Sequence, residues 1–191
     1  MGTVGIVILV IVVIVVVIVI ALVAWVMGGQ RKLVNAEELC GNALSQIGVQ
    51  QASRWEALNT LADLTKGYSD QEYKTLMDTI RARQGISPKS TAGEVEQQEA
   101  MLQQGLGRIS ALAEAYPDLK SNTVYLKTME EVKNYENNVR MSRMVYNDTV
   151  TKYNRLVRSM PGSILAGGMG FVPRDYLQDD PAKASMPVMA R

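Results

Sequence analysis

Residues 4–27 read VGIVILVIVVIVVVIVIALVAWVM, a run from Val4 to Met27 without a single charge. As a helix this run is about 36 Å long, enough to cross a hydrocarbon core of about 30 Å with some tilt. A soluble core helix of that length would carry a polar stripe, and none is present. Valine and isoleucine are middling helix formers in water. In lipid, however, the backbone must hydrogen-bond within its own segment, and a helix follows. Trp25 stands near one end, where an amphipathic ring suits the headgroup zone. Gly28, Gly29, Gln30, Arg31 and Lys32 then mark the return to water. The run is too long for the apolar part of a signal peptide, and no Lys or Arg precedes it, so it reads as an uncleaved anchor. Ile6 stands where a myristoylation signal wants Ser or Thr, which sets that reading of Met1-Gly2 aside. Trp25, Arg31 and Lys32 are the expected membrane-interface residues.

Beyond the anchor about 160 residues remain, enough for one domain. The 20 basic and 19 acidic residues nearly cancel. There is no global electrostatic pull on nucleic acid or acidic lipid, and no nucleic-acid partner is expected. Histidine is absent altogether. That removes Ser-His and Cys-His nucleophilic pairs, histidine general bases and most transition-metal sites. The lone cysteine, Cys40, excludes the usual structural zinc clusters. No enzyme, no cofactor and no metal site is expected.

Working outward, residues 31–68 lack proline and predict one long helix. Its seam is Cys40, Leu44, Ile47, Gln51, Arg54, Leu58, Leu61, Thr65 and Tyr68, in alternating steps of four and three. Gly41 and Gly48 are candidate breaks, and Gly67 a candidate stop. Ser69-Asp70-Gln71-Glu72 and Thr91-Ala92-Gly93-Glu94 have the spacing of capping boxes, and each predicts a helix start. The first opens a helix with Tyr73, Leu76, Met77 and Ile80 on one face. The second opens one with Val95, Leu102, Leu106, Ile109, Leu112 and Ala113, ending at Tyr116-Pro117.

A fourth helix over 122–159 has the clearest seam: Tyr125, Met129, Val132, Glu136, Val139, Arg143, Tyr146, Val150, Tyr153, Val157 and Met160. Within it Tyr146-Asn147-x-x-Val150 repeats as Tyr153-Asn154-x-x-Val157. A seven-residue repeat puts both Tyr-Asn pairs on one face, about 10.5 Å apart. Two long and two shorter helices joined by short connections predict an all-α fold: a single N-terminal transmembrane helix followed by an elongated antiparallel four-helix bundle. The expected organisation is a short tail at 1–3, the anchor at 4–27, a juxtamembrane hinge at 28–32, the bundle at 33–160, a glycine-rich apolar segment at 161–177 and a disordered tail at 178–191. Folding back twice returns the glycine-rich segment to the foot of the bundle, beside the membrane.

The residues also carry a resemblance. The N-terminal span, Leu33-Val34-Asn35, Lys66-Gly67-Tyr68 with Glu72, and Ala82-Arg83 resemble the LemA family of bacterial membrane proteins. So do Ala113-Glu114-Ala115-Tyr116-Pro117-Asp118-Leu119-Lys120, Tyr146-Asn147 to Tyr153-Asn154, Pro161-Gly162, and Ala166-Gly167 to Gly170-Phe171. One stretch departs. Where the family has two arginines and then Asp-Leu-Ile-Pro-Asn-Leu, this chain has Ser53-Arg54-Trp55-Glu56-Ala57-Leu58-Asn59-Thr60-Leu61, without the proline. The resemblance implies a membrane-anchored antiparallel helical bundle in the bacterial inner membrane and supplies no settled activity. Arg31 and Lys32 orient the single span with the bulk of the chain in the cytoplasm; the alternative is extracytoplasmic.

Each candidate site has a plain structural reading beside it. Gly167-Gly168-Met169-Gly170 lacks the Lys and Ser/Thr of a phosphate loop and follows a helix, so it reads as a packing joint. Tyr146 and Tyr153 read as core tyrosines, with Asn147 and Asn154 bonding a facing helix; a polar ligand groove is the other reading. Glu114, Tyr116 and Asp118 lack calcium-loop spacing and read as a connection held by Pro117. The methionines are scattered and read as core filling. Arg54 and Glu136 fall at matching depths of antiparallel helices and are expected to form a core ion pair. Ile164, Leu165, Met169, Phe171 and Val172 form an apolar cluster and are the expected oligomer contact. The leading function is a non-enzymatic scaffold that self-assembles into homo-oligomers and organises or remodels the membrane, with itself and membrane lipid as partners. The alternative is an adaptor or sensor binding an extracytoplasmic ligand or another membrane protein. By family resemblance a protein with a TPM domain is such a partner.

Overall fold

A computed structural model of the chain describes residues 2–178, and for 3–7 the backbone alone. Among the described residues every regular element is a helix. α1 runs Thr3–Thr65, α2 Asp70–Arg81, α3 Ala92–Ala115, α4 Pro117–Lys120, α5 Thr123–Arg158 and α6 Gly162–Met169. The chain divides into two compact units. Among the described residues, an anchor unit takes 2–38 together with Thr151–Arg174, and a core unit takes Leu39–Val150 together with 175–178.

The anchor and the first long helix are one element. α1 is 63 residues long and passes through 28–32 without a break, so the hinge expected there is helical. Two glycines cost about 2 kcal/mol against alanine, which a lipid-embedded turn on one side and packing on the other outweigh. That packing begins at once, with Leu33 and Ala36 buried. α1 is long and apolar enough to cross a membrane, and none of its most apolar window is buried against the rest of the protein.

Gly41 and Gly48 do not break α1 either. They receive the connection between α2 and α3. A Cβ built on Gly48 would stand 2.8 Å from the Ile86 carbonyl oxygen, and one on Gly41 3.1 Å from Pro88 Cβ. Gly48→Ala is therefore expected to lower the melting temperature of the full chain in detergent. A free helical site would gain up to about 1 kcal/mol from the same change. Gly107 on α3 is such a site, with nothing within 4 Å of its built Cβ, so Gly107→Ala should raise the melting temperature. Stabilisation by both substitutions would refute the close approach at Gly48.

The helix starts are set by caps. The Thr91 hydroxyl accepts from the Glu94 N–H while the Glu94 carboxylate accepts from the Thr91 N–H, a complete capping box. Ser69 accepts from the Glu72 N–H, but the Glu72 carboxylate turns to Arg108 at 3.4 Å. The core unit gathers Trp55, Leu58 and Leu61 of α1, Leu76 and Ile80 of α2, Leu102 and Ile109 of α3, Leu119 of α4, and Tyr125 and Val132 of α5 around one apolar centre. On α1, all eight seam positions from Cys40 to Thr65 are buried. On α5 the seam is buried at Tyr146, Val150, Tyr153 and Val157, whereas Met160 lies past the helix end and is exposed.

The segment expected at 161–177 has two parts. The first is α6, closed by Gly170 in the left-handed region (φ 79°). The second, 171–178, has no regular secondary structure. Of the tail expected at 178–191, Gln178 is held by its N–H to Glu96 Oε1 at 2.9 Å, and 179–191 lie outside the described residues.

Candidate functional site

Two groups of polar side chains and one apolar surface stand out. The first group lies inside the core unit. Arg54 is 1% exposed, and its Nη1 is 2.6 Å from Glu99 Oε2 on α3. Gln51 Nε2 donates to the same oxygen at 3.0 Å. Gln103 Nε2 donates to Glu99 Oε1 at 3.0 Å and to Glu136 Oε1 at 3.4 Å. The Arg54 ion pair seen here is therefore with Glu99, in place of the expected Glu136, which joins the cluster through Gln103. Matching depths on α1 and α5 took no account of α3, which brings a carboxylate to the same level.

Burial pushes the Glu99 carboxyl up. The Arg54 charge, hydrogen bonds from Arg54 and Gln103, and the Arg143 charge together outweigh it and hold the group below its ordinary value. Nε and Nη2 of Arg54 and Nε of Arg143 have no protein hydrogen-bond partner. The Glu99 carboxylate is held as a fixed negative charge beside the guanidinium groups. It ties α1, α3 and α5 together at one level.

The second group is the Tyr-Asn repeat. In the anchor unit the buried Tyr153 hydroxyl donates to the Val172 carbonyl at 2.9 Å. Asn154 grips both backbone groups of Arg174: Nδ2 donates to its carbonyl at 2.8 Å, and Oδ1 accepts its N–H at 2.9 Å. In the core unit the buried Tyr146 hydroxyl donates to the Asp175 carbonyl at 3.1 Å. Asn147 grips Leu177 in the same way, donating at 2.8 Å and accepting at 3.0 Å. The asparagines bond an extended segment, where a facing helix was expected. The spacing explains why. Seven helical residues rise about 10.5 Å, and three extended residues about 10 Å, so a seven-residue repeat matches a backbone gripped at every third residue. Each asparagine side chain stands in for a neighbouring β-strand and reads backbone, with no requirement on the gripped side chains.

The expected oligomer-contact residues divide. Leu165 is buried, and its Cδ1 lies against Gly29 of α1. Phe171 is half-buried. Ile164, Met169 and Val172 are exposed, Ile164 by 60% and Val172 by 68%. Trp25, Arg31 and Lys32 are all exposed on α1. A polar pocket of about 290 Å³ at the α2–α3 connection, lined by Gln84, Ser87, Lys89, Ser90, Glu94 and Gln98, had no signal in the sequence beyond the polar Gln98 on an apolar face. Among the described residues no group of three or more Cys, Asp or Glu side chains is placed to hold a metal ion.

Among the described residues every regular element is a helix and α1 is long and apolar enough to cross a membrane, which points to a membrane-anchored helical protein. The LemA family pattern matches residues 43–189, and the chain belongs to the LemA family. Two curated relatives are the magnetosome proteins MamQ 1 and MamQ 2 of Paramagnetospirillum magneticum. Each is 32% identical to this chain over 77 residues, covering 40% of this chain and 28% of the relative. The chain thus spans little more than a quarter of the length of these relatives.

Proposed function

We propose that this protein is a non-enzymatic scaffold: an antiparallel four-helix bundle on a single membrane anchor that self-associates into homo-oligomers and organises or remodels the bacterial inner membrane. The observation that carries this reading is an apolar surface on the core unit. Val49 on α1 is 64% exposed, and Met141, Met144 and Val145 on α5 are exposed by 64%, 61% and 53%. Asn138 donates to Gln50 at 3.4 Å beside them, which joins the two helices at this surface. From Leu39 to Ser53 there is no charged residue, although Leu39, Asn42, Gln46 and Val49 face outward. Exposed apolar side chains gathered on two joined helices mark a protein contact. The uncharged α1 side of this surface suits a second copy, and anchors confined to one membrane raise the effective concentration of neighbours. Similarity over 77 residues to two proteins named as magnetosome proteins adds support.

The anchor unit also supports the cytoplasmic orientation. Lys152, Arg155, Arg158 and Arg174 join Arg31 and Lys32 there, and the positive-inside rule counts such residues near a span.

The test is Val49→Glu combined with Met141→Glu, both at exposed positions. The double variant should stay helical and melt as the parent does, yet run as a smaller particle in matched detergent. An unchanged particle size would sink self-association through this surface. A parent particle that consistently contains a second kind of polypeptide would favour an adaptor instead.

A further inference from the structure

We propose that α6 and its flanks lie in the headgroup–acyl boundary of the same membrane that α1 crosses, as an interfacial element that grips anionic lipid. The inference rests on the membrane anchor and goes beyond it. Leu165 of α6 packs against Gly29, two residues after the apolar run ends at Met27. That contact fixes the depth of α6 at the end of the span. From Ser159 to Pro173 the chain has no charge. Four of its apolar side chains nevertheless point away from the protein: Met160, Ile164, Met169 and Val172 are all exposed. At this depth the surrounding medium is lipid.

Charge supports the same occupant. Of the 20 basic and 19 acidic residues, the anchor unit holds six basic (Arg31, Lys32, Lys152, Arg155, Arg158 and Arg174) and two acidic (Glu37 and Glu38). Among the described residues the core unit holds 12 basic and 15 acidic, so a nearly neutral chain has a cationic anchor unit. Apolar side chains beside clustered Lys and Arg are what interfacial segments present to anionic headgroups. The backbone is prepared for that setting. The Phe171 N–H donates to the Ala166 carbonyl at 3.0 Å, and the Val172 carbonyl accepts from Tyr153. These bonds pair backbone groups just beyond the end of α6 that a medium poor in water would not satisfy.

The experiment uses the full chain in vesicles of phosphatidylcholine and phosphatidylglycerol. An environment-sensitive fluorophore is attached through Ile164→Cys; native Cys40 is buried and stays unlabelled. Val16→Cys within the span and Lys120→Cys on the core unit are the two reference positions, both exposed. Lipids brominated near the headgroup should quench the Ile164 label at least about threefold more than the Lys120 label, with blue-shifted emission. If Val16 is quenched by lipid while Ile164 is water-like, the inference is overturned and the anchor stands. Lipids brominated deep in the acyl chain should quench Val16; if they do not, the anchor itself fails. Blue-shifted emission at Ile164 without lipid quenching would also overturn the inference and return these residues to a contact between copies.

Discussion

Arg54→Ala is expected to destabilise the protein by about 3–5 kcal/mol, because it leaves the Glu99 carboxylate buried without its partner. Arg54→Met combined with Glu99→Leu should recover most of that loss, since desolvating two charges consumes much of what their attraction returns. A double-mutant cycle separates the candidate partners. Coupling between Arg54 and Glu99 should exceed that between Arg54 and Glu136. Equal or additive effects would contradict the 2.6 Å pair. The same cluster makes the protein acid-sensitive. The folded pKa of Glu99 is lowered, so its contribution is present above the unfolded value of about 4.3 and is lost as pH falls through the lower folded value. Glu99→Gln should remove that part of the pH dependence. Thermal melts of the full chain in detergent, followed by helical signal across pH, measure both effects.

Tyr153→Ala is expected to cost about 3–5 kcal/mol, the range for emptying a buried aromatic site. Tyr153→Phe keeps the ring and gives up the bond to the Val172 carbonyl, so it should cost only about 1 kcal/mol. Equal small losses would contradict a core role. The asparagines have a sharper readout. Asn154→Ala removes the acceptor of the Arg174 N–H, and Asn147→Ala that of the Leu177 N–H. Amide hydrogen exchange should accelerate at Arg174 in the first variant and at Leu177 in the second. Protection retained at both positions would show that the extended segment is held by something else.

Local patterns predicted helices well. The four-and-three stripe named the buried face of α1 from Cys40 to Thr65, because helical spacing and burial are set by the same geometry. Thr91 and Glu94 marked the start of α3, since a capping box is chemistry between near neighbours. What failed depended on a third element. Asn138 bonds Gln50, which brings α5 beside α1 near Arg54 and Glu136. The carboxylate that reaches Arg54 comes from α3, and no pairing of two helices could reveal it. Gly41 and Gly48 looked like weak points because propensity counts only the helix they sit in. Their value lies in what the connection between α2 and α3 places against them.

The Tyr-Asn repeat was legible as a repeat but not in its target. Sequence gives the 10.5 Å period of α5 and not the extended segment that shares it. Neutral overall charge concealed the cationic anchor unit, which becomes visible only when 151–174 is brought together with the anchor. Leu165 could not be told from Ile164 by composition, and only the contact with Gly29 separates them.

The most direct test of a self-associating scaffold is the mass of the wild-type particle. The full chain is purified in mild detergent and measured by single-particle mass photometry over a range of protein concentrations, with its polypeptide content checked by denaturing electrophoresis. The expected result is a discrete particle of several copies of this chain and no other. A particle holding one copy at every concentration would contradict self-association, as would one completed by a second polypeptide.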